Sequence, residues 1–305
     1  MKSNDVICLM GLTGAGKTAL AMALCDALPL ELISVDSAMI YQGMDIGSAK
    51  PEKELLEKYP HHLIDVITPW QSYSAAQFIE DVNPIIKAVQ ARGNTPLLVG
   101  GTMMYFKALQ QGLNTLPESK PALREALNQE RESKGLAVLQ QRLRQCDPIS
   151  AAKINENDAQ RIQRALEVFE LTGKPMSDLL AQDVAPSDHS FINIALIPHN
   201  RSKLHGLIAQ RFEMMLEQGF EEEVRQLKRQ GLTDDLSSMR CVGYKQMLAY
   251  LNGQCSFDEM KQQAIAATRQ LAKRQHTWLR KWPELDAFDP WQQNLLAVVS
   301  QCLSL

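Results

Sequence analysis

The segment with the clearest chemical signature is a glycine-rich run near the amino terminus that ends in lysine and threonine. Glycines allow backbone N–H groups to turn toward an anion, and a following helix directs its positive end at the same place. The lysine adds a cation, and the threonine hydroxyl can ligate Mg²⁺. The alternative is a glycine-rich turn without a ligand. The run fits G-x-x-x-x-G-K-[ST] and consists of Gly11, Leu12, Thr13, Gly14, Ala15, Gly16, Lys17 and Thr18. It therefore predicts a diphosphate or polyphosphate site, but it does not specify the reaction.

Two further polar residues follow strand-like segments. Asp36 comes directly after 31–35, and Thr102 follows the strand that begins at 95. Because the carboxyl ends of parallel strands line the ligand crevice of an open α/β sheet, Asp36 should face whatever the phosphate carries. It could act as a general base or accept a hydrogen bond from an amine or hydroxyl. The alternative for both residues is a turn or helix cap.

Two groups of basic residues offer surfaces for a polyanion. Arg269, Lys273, His276 and Arg280 are spaced by four, three and four residues, which places them on one face of a helix. The surrounding segment 261–282 lacks acidic residues, which favours a phosphodiester partner. The alternatives are a solvated face or ion pairs with the acidic run 221–223. A second cluster, at 160–164, is either another contact or ordinary helix surface.

The elements around the glycine-rich run alternate between strand and helix. Strands are expected at 6–10, 31–35 and 95–101, and helices at 18–28 and 74–93. Continuously apolar strands that alternate with helices are typical of a parallel sheet covered on both faces. We therefore expect an α/β, P-loop-type parallel-sheet core flanked by helices.

The middle of the chain has a different pattern. Charged and glutamine-rich helical segments fill 117–187, and a strand returns at 191–198; from there on the pattern is helical. We expect residues 1–116 and 188–305 to form the α/β core and residues 117–187 to form an all-helical insertion.

Composition limits the remaining possibilities. The 305 residues carry a net charge of −3, so the chain is not a generically basic nucleic-acid binder. Its six cysteines form no CxxC pair and no zinc-ligand spacing, which suits free thiols in a reducing compartment. No apolar run is long enough for a membrane span. We expect a cytoplasmic protein that does not engage a membrane.

These features together resemble the tRNA dimethylallyltransferases (isopentenyltransferases). The glycine-rich run is shared with many P-loop proteins, whereas three other segments are specific to this family. The resemblance extends over nearly the whole chain and rests on GLTGAGKT (11–18), ISVDSAMIYQGMDIGSAKP (33–51), HHLIDV (61–66), PLLVGGTMMYFKAL (96–109), NDAQRIQRALEVFELTGKP (157–175), RFEMMLEQGF (211–220), RCVGYKQM (240–247) and TRQLAKRQHTWLRKW (268–282).

The resemblance implies that the enzyme transfers a dimethylallyl group from dimethylallyl diphosphate to the exocyclic amine of the adenine 3′ to the anticodon. The tRNAs would be those that read U-initial codons, and the product would be N6-isopentenyladenosine. Lys17, Thr18 and Mg²⁺ would neutralise the leaving diphosphate, and Arg211 matches a family arginine associated with it. Asp36 would orient the amine and accept its proton, with Thr102 assisting nearby.

The resemblance also implies tRNA contacts through the anticodon stem-loop. The matching positions are Asp36, Ser37, Ala38, Met39, Arg124, Gln160, Arg161, Ile162, Gln163, Arg164, Arg240, Cys241, Val242, Gly243, Tyr244, Lys245, Lys273, Arg274, Gln275, His276, Thr277, Trp278, Leu279 and Arg280.

This sequence departs from the family pattern at one position. Leu207 stands where many members have an arginine, which puts any role of that arginine in doubt here. The zinc finger that some eukaryotic members append is absent, so we expect the bacterial form, acting as a monomer.

Three other functions each account for part of the sequence. A small-molecule P-loop kinase would use the glycine-rich run and Asp36 but would leave the basic helix face unexplained. A nucleotide hydrolase usually has an acidic residue at the end of a later core strand, and 96–102 has none. A non-catalytic RNA-binding protein would not need the intact Lys17 and Thr18.

Overall fold

The computed structural model describes residues 4–185 and 187–303, and these form two compact units. One unit consists of the described residues up to Gln110 and from Asp188 onward, and the other consists of those in Gln111–Ser187. No helix in the described parts of the chain is long and apolar enough to cross a membrane.

The larger unit contains a six-stranded sheet in which every neighbouring pair is parallel. Its first strand is buried at every position, as expected when helices cover both faces of a parallel sheet. The spatial order is β3-β2-β4-β1-β5-β6, so β2, β4 and β1 are adjacent at its centre. The strands are β1 (Asp5–Gly11), β2 (Leu30–Val35), β3 (His61–His62), β4 (Thr95–Gly100), β5 (Ser190–Leu196) and β6 (Leu285–Phe288).

Capping residues determine where two of the long helices begin. Ser74 and Gln77 form a capping box at the start of one long helix, and Ser256 and Glu259 form another. In chain order the helices are α1 (Lys17–Ala27), α2 (Lys53–Lys58), α3 (Ala75–Ala91), α4 (Met103–Gln111), α5 (Pro121–Lys134), α6 (Leu136–Cys146), α7 (Pro148–Lys153), α8 (Ala159–Thr172), α9 (Met176–Leu180), α10 (Arg201–Glu217), α11 (Phe220–Arg229), α12 (Tyr244–Leu251), α13 (Phe257–Leu279) and α14 (Leu295–Leu303).

The prediction of an α/β fold with a parallel sheet is confirmed, but two edge strands were not predicted. The expectation that only helices follow residue 198 is wrong, because β6 pairs with β5. Its side chains are half-buried or exposed, so it lacks the apolar run that marked the central strands. β3 has two residues, both histidine, and is too short to give a periodic signal.

The smaller unit contains only helices among its described residues, and it has its own apolar core. Leu127, Leu139 and Leu143 from α5 and α6 pack with Ile162 and Leu166 from α8. These positions recur at helical spacing within an otherwise charged sequence, which is the pattern of amphipathic helices.

A buried carboxylate joins two short helices of this unit. Asp147 is fully buried, and its two carboxylate oxygens accept hydrogen bonds from the backbone N–H groups of Ser150 and Ser177, each at 2.9 Å. Burial by itself would raise the pKa of Asp147, but the hydrogen bonds from Ser150 and Ser177 hold it below its ordinary value.

We expect Asp147→Ala to destabilise the smaller unit by about 3 kcal/mol, because the N–H groups of buried Ser150 and half-buried Ser177 lose their charged acceptor. Hydrogen exchange should accelerate within Gln111–Ser187 and stay unchanged at the amides of β1 and β4. Asp183→Ala, at an exposed position of the same unit, is the matched control. In the wild-type protein, the contribution of Asp147 to the stability of the smaller unit should be present at neutral pH and should be lost as acid protonates this carboxylate. Unchanged exchange in Asp147→Ala would contradict this role.

Candidate functional site

The site lies at the edge of the sheet where β1, β2 and β4 end. Because these strands are adjacent and parallel, the loops that follow them converge. A cavity of about 910 Å³ opens there. Among the residues that line it are Thr13, Gly14, Gly16, Lys17, Thr18, Asp36, Ser37, Ala38, Met39, Thr102, Arg211, Arg240, Cys241, Val242, Gly243, Arg274, Gln275 and Trp278.

The glycine-rich loop, Gly11–Thr18, connects β1 to α1. Gly16 is the amino-terminal cap of α1 and has φ 81°, a left-handed conformation that side chains other than glycine rarely adopt. No side chain caps this helix, so its amino-terminal N–H groups face the cavity without a capping acceptor. A helix end of this kind attracts an anion.

Lys17 and Arg211 bring two cations to the cavity. The Lys17 Nζ donates a hydrogen bond to the Leu12 carbonyl oxygen at 2.9 Å. Burial lowers the pKa of Lys17 to about 8, with the negative charge of Asp36 acting to raise it and the positive charge of Arg211 to lower it. Burial also lowers the pKa of Arg211, while Asp36 acts to raise it. Two partly desolvated cations beside one carboxylate form a site suited to a multivalent anion.

Arg211 lies on α10 with no hydrogen bond or ion pair to its guanidinium from the residues that the structure describes. Leu207, one turn earlier on the same helix, is half-buried. Its side chain cannot supply the charge of the family arginine, so Arg211 is the cation that α10 contributes to the cavity.

Asp36 occupies the turn after β2. Its Oδ1 accepts hydrogen bonds from the backbone N–H groups of Ala38 (2.8 Å) and Met39 (3.2 Å), so it forms the turn that the capping alternative described. Its other carboxylate oxygen, Oδ2, has no hydrogen bond from the described residues. The carboxylate therefore fixes its own loop with one oxygen and leaves the other for a ligand.

Thr102 contacts the same turn from the end of β4. Its Oγ1 accepts a hydrogen bond from the Ser37 N–H at 3.1 Å and lies 3.4 Å from the Ser37 hydroxyl. Thr102 and Asp36 are therefore parts of one hydrogen-bonded arrangement, which positions the carboxylate beside the glycine-rich loop.

A carboxylate that the sequence did not single out supports the opposite wall. Glu223, from α11, accepts hydrogen bonds from the N–H groups of Asp45 (2.9 Å), Ile46 (2.7 Å) and Gly47 (3.1 Å). It also accepts one from the Tyr244 hydroxyl at 2.6 Å. The acidic run 221–223 thus bonds to this loop, to Tyr244 and, through Glu221 and Glu222, to arginines of α11 itself. No ion pair in the described residues joins this run to the basic face of α13, so that alternative for the basic face is wrong.

The segment 240–245 lines the cavity only in part. Arg240 and Lys245 are exposed, and the Arg240 Nε donates to the Asp234 carbonyl oxygen at 3.0 Å. Tyr244 is fully buried, so its side chain packs in the core. Burial raises the pKa of Cys241 to about 12, so this thiol is neutral.

Helix α13 has two distinct faces. Lys273, Arg274, Thr277, Trp278 and Arg280 are exposed at or near its carboxyl-terminal end, whereas Leu279 belongs to the core. Burial lowers the pKa of His276, and the charges of Arg280 and Arg201 lower it further, so its imidazole is neutral at pH 7. Arg269, at the inner end of the predicted basic stripe, is half-buried and donates to the His205 carbonyl oxygen at 3.4 Å.

Gln275, between these exposed residues, faces inward. Its Oε1 accepts a hydrogen bond from the Thr13 N–H at 2.8 Å, and its Nε2 donates to the Gly101 carbonyl oxygen at 3.0 Å. The side chain therefore contacts both the glycine-rich loop and the turn after β4. Its spacing within a run of basic and polar residues gave no signal for this contact.

The remaining predicted contact residues lie in the smaller unit. Gln160 and Arg161 are exposed at the start of α8, and Ile162 is in that unit's core. The Gln163 side chain donates to the Arg124 carbonyl oxygen at 2.8 Å, and Arg164 donates to the Pro117 carbonyl oxygen at 2.6 Å. The exposed basic side chains here are those of Arg124 and Arg161.

The donor groups of the cavity limit which metal could bind. No cluster of three or more histidine, cysteine, aspartate or glutamate side chains suited to a metal is present in residues 4–185 and 187–303. The Thr18 hydroxyl is a hard oxygen donor at the start of α1. Such a donor suits Mg²⁺ that takes its other ligands from phosphate oxygens and water.

Comparison with known proteins gives a consistent result. A family model described as IPP transferase matches residues 39–282. A tRNA dimethylallyltransferase of Legionella pneumophila (strain Lens) is 55% identical over 278 residues, which cover 91% of this chain and 89% of that protein. One from Cupriavidus necator is 52% identical over 286 residues, covering 92% and 89% of the two chains.

Solved structures show the same similarity. The full-length tRNA isopentenylpyrophosphate transferase from Bacillus halodurans has a TM-score of 0.73 and 32% identity, and the match covers 99% of this chain and 96% of that one. A eukaryotic dimethylallyltransferase acting on tRNA has a TM-score of 0.82 and 25% identity, with coverage of 99% and 80%.

The lowered pKa of Lys17 predicts a pH-dependent affinity for inorganic diphosphate. Lys17 is protonated below pH 8 and loses its charge above it, so affinity should fall by up to about tenfold per pH unit beyond that point. Isothermal titration calorimetry from pH 6.5 to 9.5 would measure this. The arginine in Lys17→Arg stays charged throughout this range, so the diphosphate affinity of this variant should not show the additional decrease above pH 8. Parallel pH profiles for the two proteins would contradict the assignment.

Proposed function

The chain belongs to the IPP transferase family of tRNA dimethylallyltransferases, and we propose that its donor is dimethylallyl diphosphate and its acceptor the adenine 3′ to the anticodon. The exocyclic amine of that adenine attacks the allylic carbon in tRNAs that read U-initial codons. A C–N bond forms, the C–O bond to diphosphate breaks, and the product is N6-isopentenyladenosine. The observation that carries this proposal is the meeting of Lys17, Arg211 and Asp36 in one cavity.

The leaving diphosphate is the group that needs the most electrostatic help. As the C–O bond breaks, its electron pair and negative charge pass to the diphosphate oxygens. Lys17, Arg211 and the N–H groups at the start of α1 are held in place before this charge develops, so they stabilise it without costly reorganisation. Because the leaving group is a diphosphate, the site needs no residues that act on a γ-phosphate.

We propose that Asp36 orients the adenine amine and accepts its proton. An amine attached to an aromatic ring is a weak nucleophile, so correct placement and removal of the proton both assist the attack. The Oδ1 bonds to Ala38 and Met39 hold the carboxylate still, which leaves Oδ2 to face the amine. Thr102 assists by fixing the same turn through Ser37.

Mg²⁺ is the metal ion that fits these donors. The Thr18 hydroxyl would hold it, with diphosphate oxygens and water as the other ligands. When bound, the ion would neutralise charge on the diphosphate. The site has no acidic residue at the end of β4, which distinguishes it from nucleotide hydrolases that hold Mg²⁺ there.

The tRNA surface is proposed to include the exposed side of α13, Arg240 and Lys245. Their charges suit the phosphate backbone of an anticodon stem-loop. The acceptor base must leave its stack to enter the cavity, a rearrangement that costs a few kcal/mol. Arg124 and the cluster at 160–164 would make further contacts from the smaller unit. Arg161, Lys273 and Arg280 carry the exposed charge for these interactions.

We further propose that the enzyme is a monomer of the bacterial type and works in the cytoplasm, where its RNA substrate resides. Each of the two units has its own apolar core, so neither needs a second copy of the chain to complete it.

The decisive experiment supplies purified protein, Mg²⁺, labelled dimethylallyl diphosphate and unmodified tRNA with adenine after the anticodon, and omits ATP. Label should enter the RNA at that adenine. A small-molecule kinase would instead consume ATP and leave the RNA unlabelled. An RNA-binding protein without activity would hold the tRNA without turnover, and its RNA affinity would be unaffected by Lys17→Ala.

Replacing the proposed base should separate chemistry from binding. Asp36→Ala is expected to lower the transfer rate by about a hundredfold or more, while tRNA affinity falls by less than tenfold. Asp26→Ala, which removes an acidic side chain outside the cavity, serves as the comparison. Single-turnover kinetics and filter binding measure the two effects. Turnover at the wild-type rate in Asp36→Ala would remove this residue from the mechanism.

The proposed RNA face predicts a change in salt dependence. Lys273→Ala combined with Arg280→Ala should raise the tRNA KM and reduce the slope of log K against log salt by about 1 to 2. The control is Lys53→Ala with Lys87→Ala, two exposed lysines on α2 and α3. An unchanged slope would show that this face of α13 contacts only solvent.

A further inference from the structure

Gln275 connects two backbone segments that lie far apart in the sequence. The side chain is 6% exposed and extends from α13 to the edge of the sheet. Its amide accepts from the Thr13 N–H and donates to the Gly101 carbonyl oxygen. Thr13 belongs to the glycine-rich loop, and Gly101 to the turn between β4 and α4. One side chain therefore sets the spacing between them.

The chemistry of this contact suits an amide. The Thr13 N–H can only donate and the Gly101 carbonyl can only accept, so the bridging group must supply one acceptor and one donor. A glutamate would keep the first bond and place an oxygen against the second carbonyl. Glycine at 101 also leaves room for this bridge, because a Cβ there would meet the Gln275 Nε2 and the amide would have to move away.

The same bridge reaches the proposed base. Gly101 is followed by Thr102, whose Oγ1 accepts from the Ser37 N–H in the turn that Asp36 organises. Displacing the amide of Gln275 would therefore disturb the spacing between Lys17 in the loop and Asp36 in the turn. That spacing matters because Lys17 acts on the leaving diphosphate and Asp36 acts on the attacking amine.

The neighbours of Gln275 on α13 face outward. Arg274 and Trp278 are exposed and line the same cavity, and Lys273 and Arg280 extend this exposed face. The helix thus presents one side to the proposed RNA and the other to the glycine-rich loop. A ligand that orders one side of a rigid element also biases what the other side contacts.

We propose that Gln275 is a positioning residue through which RNA bound on the outer face of α13 strengthens diphosphate binding in the glycine-rich loop. This inference rests on the proposed function, because it takes the two ligands to be an RNA and a diphosphate. The coupling is reciprocal, so diphosphate strengthens RNA binding by the same factor.

The test measures the affinity of inorganic diphosphate with Mg²⁺, by calorimetry, without and with an unmodified anticodon stem-loop RNA. In the wild-type protein the RNA should increase diphosphate affinity severalfold. In Gln275→Leu the affinity without RNA should fall about tenfold and the increase should disappear, while RNA affinity without diphosphate stays as in wild type. Gln275→Glu keeps the Thr13 bond but places a negative carboxylate against the Gly101 carbonyl and beside the anion site, so its diphosphate affinity should be at least as low as that of Gln275→Leu. Gln270→Leu makes the same change at an exposed position of α13 and should behave as wild type.

A second variant tests the bridge from its other end. Gly101→Ala should weaken diphosphate binding. Combining it with Gln275→Leu should weaken binding little further, because both substitutions remove the same contact between Gln275 and Gly101. Fully additive losses would overturn the proposal. So would equal RNA enhancement in Gln275→Leu and wild type, or a parallel loss of RNA affinity, which would indicate a structural defect.

Steady-state transfer kinetics give an independent readout. Gln275→Leu should raise the KM for dimethylallyl diphosphate by more than about tenfold at saturating tRNA, and should raise the tRNA KM at saturating donor only by the severalfold factor of the lost coupling. An unchanged donor KM would contradict the inference. If the wild-type protein binds diphosphate and RNA but transfers no dimethylallyl group, the proposed function fails while the coupling is still measurable. If wild type transfers the group and Gln275→Leu matches it in every constant, the inference alone fails.

Discussion

The pairing of β2, β4 and β1 as adjacent parallel strands is the constraint on which the site depends. Parallel strands all finish at the same edge, so the loops after them meet whatever their distance in sequence. The register aligns Val35 and Met10 with Gly100, which brings Asp36 and the glycine-rich loop to either side of Thr102. The backbone hydrogen bonds of the sheet bring these loops together, and the Ser37–Thr102 and Gln275 contacts then fix their spacing.

Helices from the carboxyl-terminal half complete what the strand ends begin. α10 brings Arg211, α13 brings Gln275, and α11 brings Glu223, whose carboxylate binds three successive N–H groups of the loop 45–47. A carboxylate with several backbone donors is a strong local organiser, since each charged hydrogen bond is stronger than a neutral one. The cavity is thus built from strand ends on one side and helix side chains on the other.

The sequence predicted the parts of this arrangement that depend on local pattern. The central strands have apolar runs, and the glycine-rich loop has its own residue order, so both were identified, and Asp36 and Thr102 followed from their places at strand ends. β3 and β6 were not, because edge strands of two and four residues carry little periodic or apolar signal. Glu223 and Gln275 were not recognised as structural groups, because their partners are backbone atoms far away in the chain. Such contacts depend on how helices pack, which residue spacing within one helix does not reveal.

The link between Thr13 and Gln275 also bears on how the chain folds during synthesis. β1 is made first, but its partner β5 follows only after the smaller unit has been made, with Met10 opposite Ala195. The glycine-rich loop receives its side-chain acceptor later still, when α13 emerges. Contacts of such high sequence separation form slowly because the loop between them must close first. A nascent chain therefore carries a strand with an unpaired edge until β5 emerges and an incompletely fixed loop until α13 emerges, so the site is completed late in synthesis.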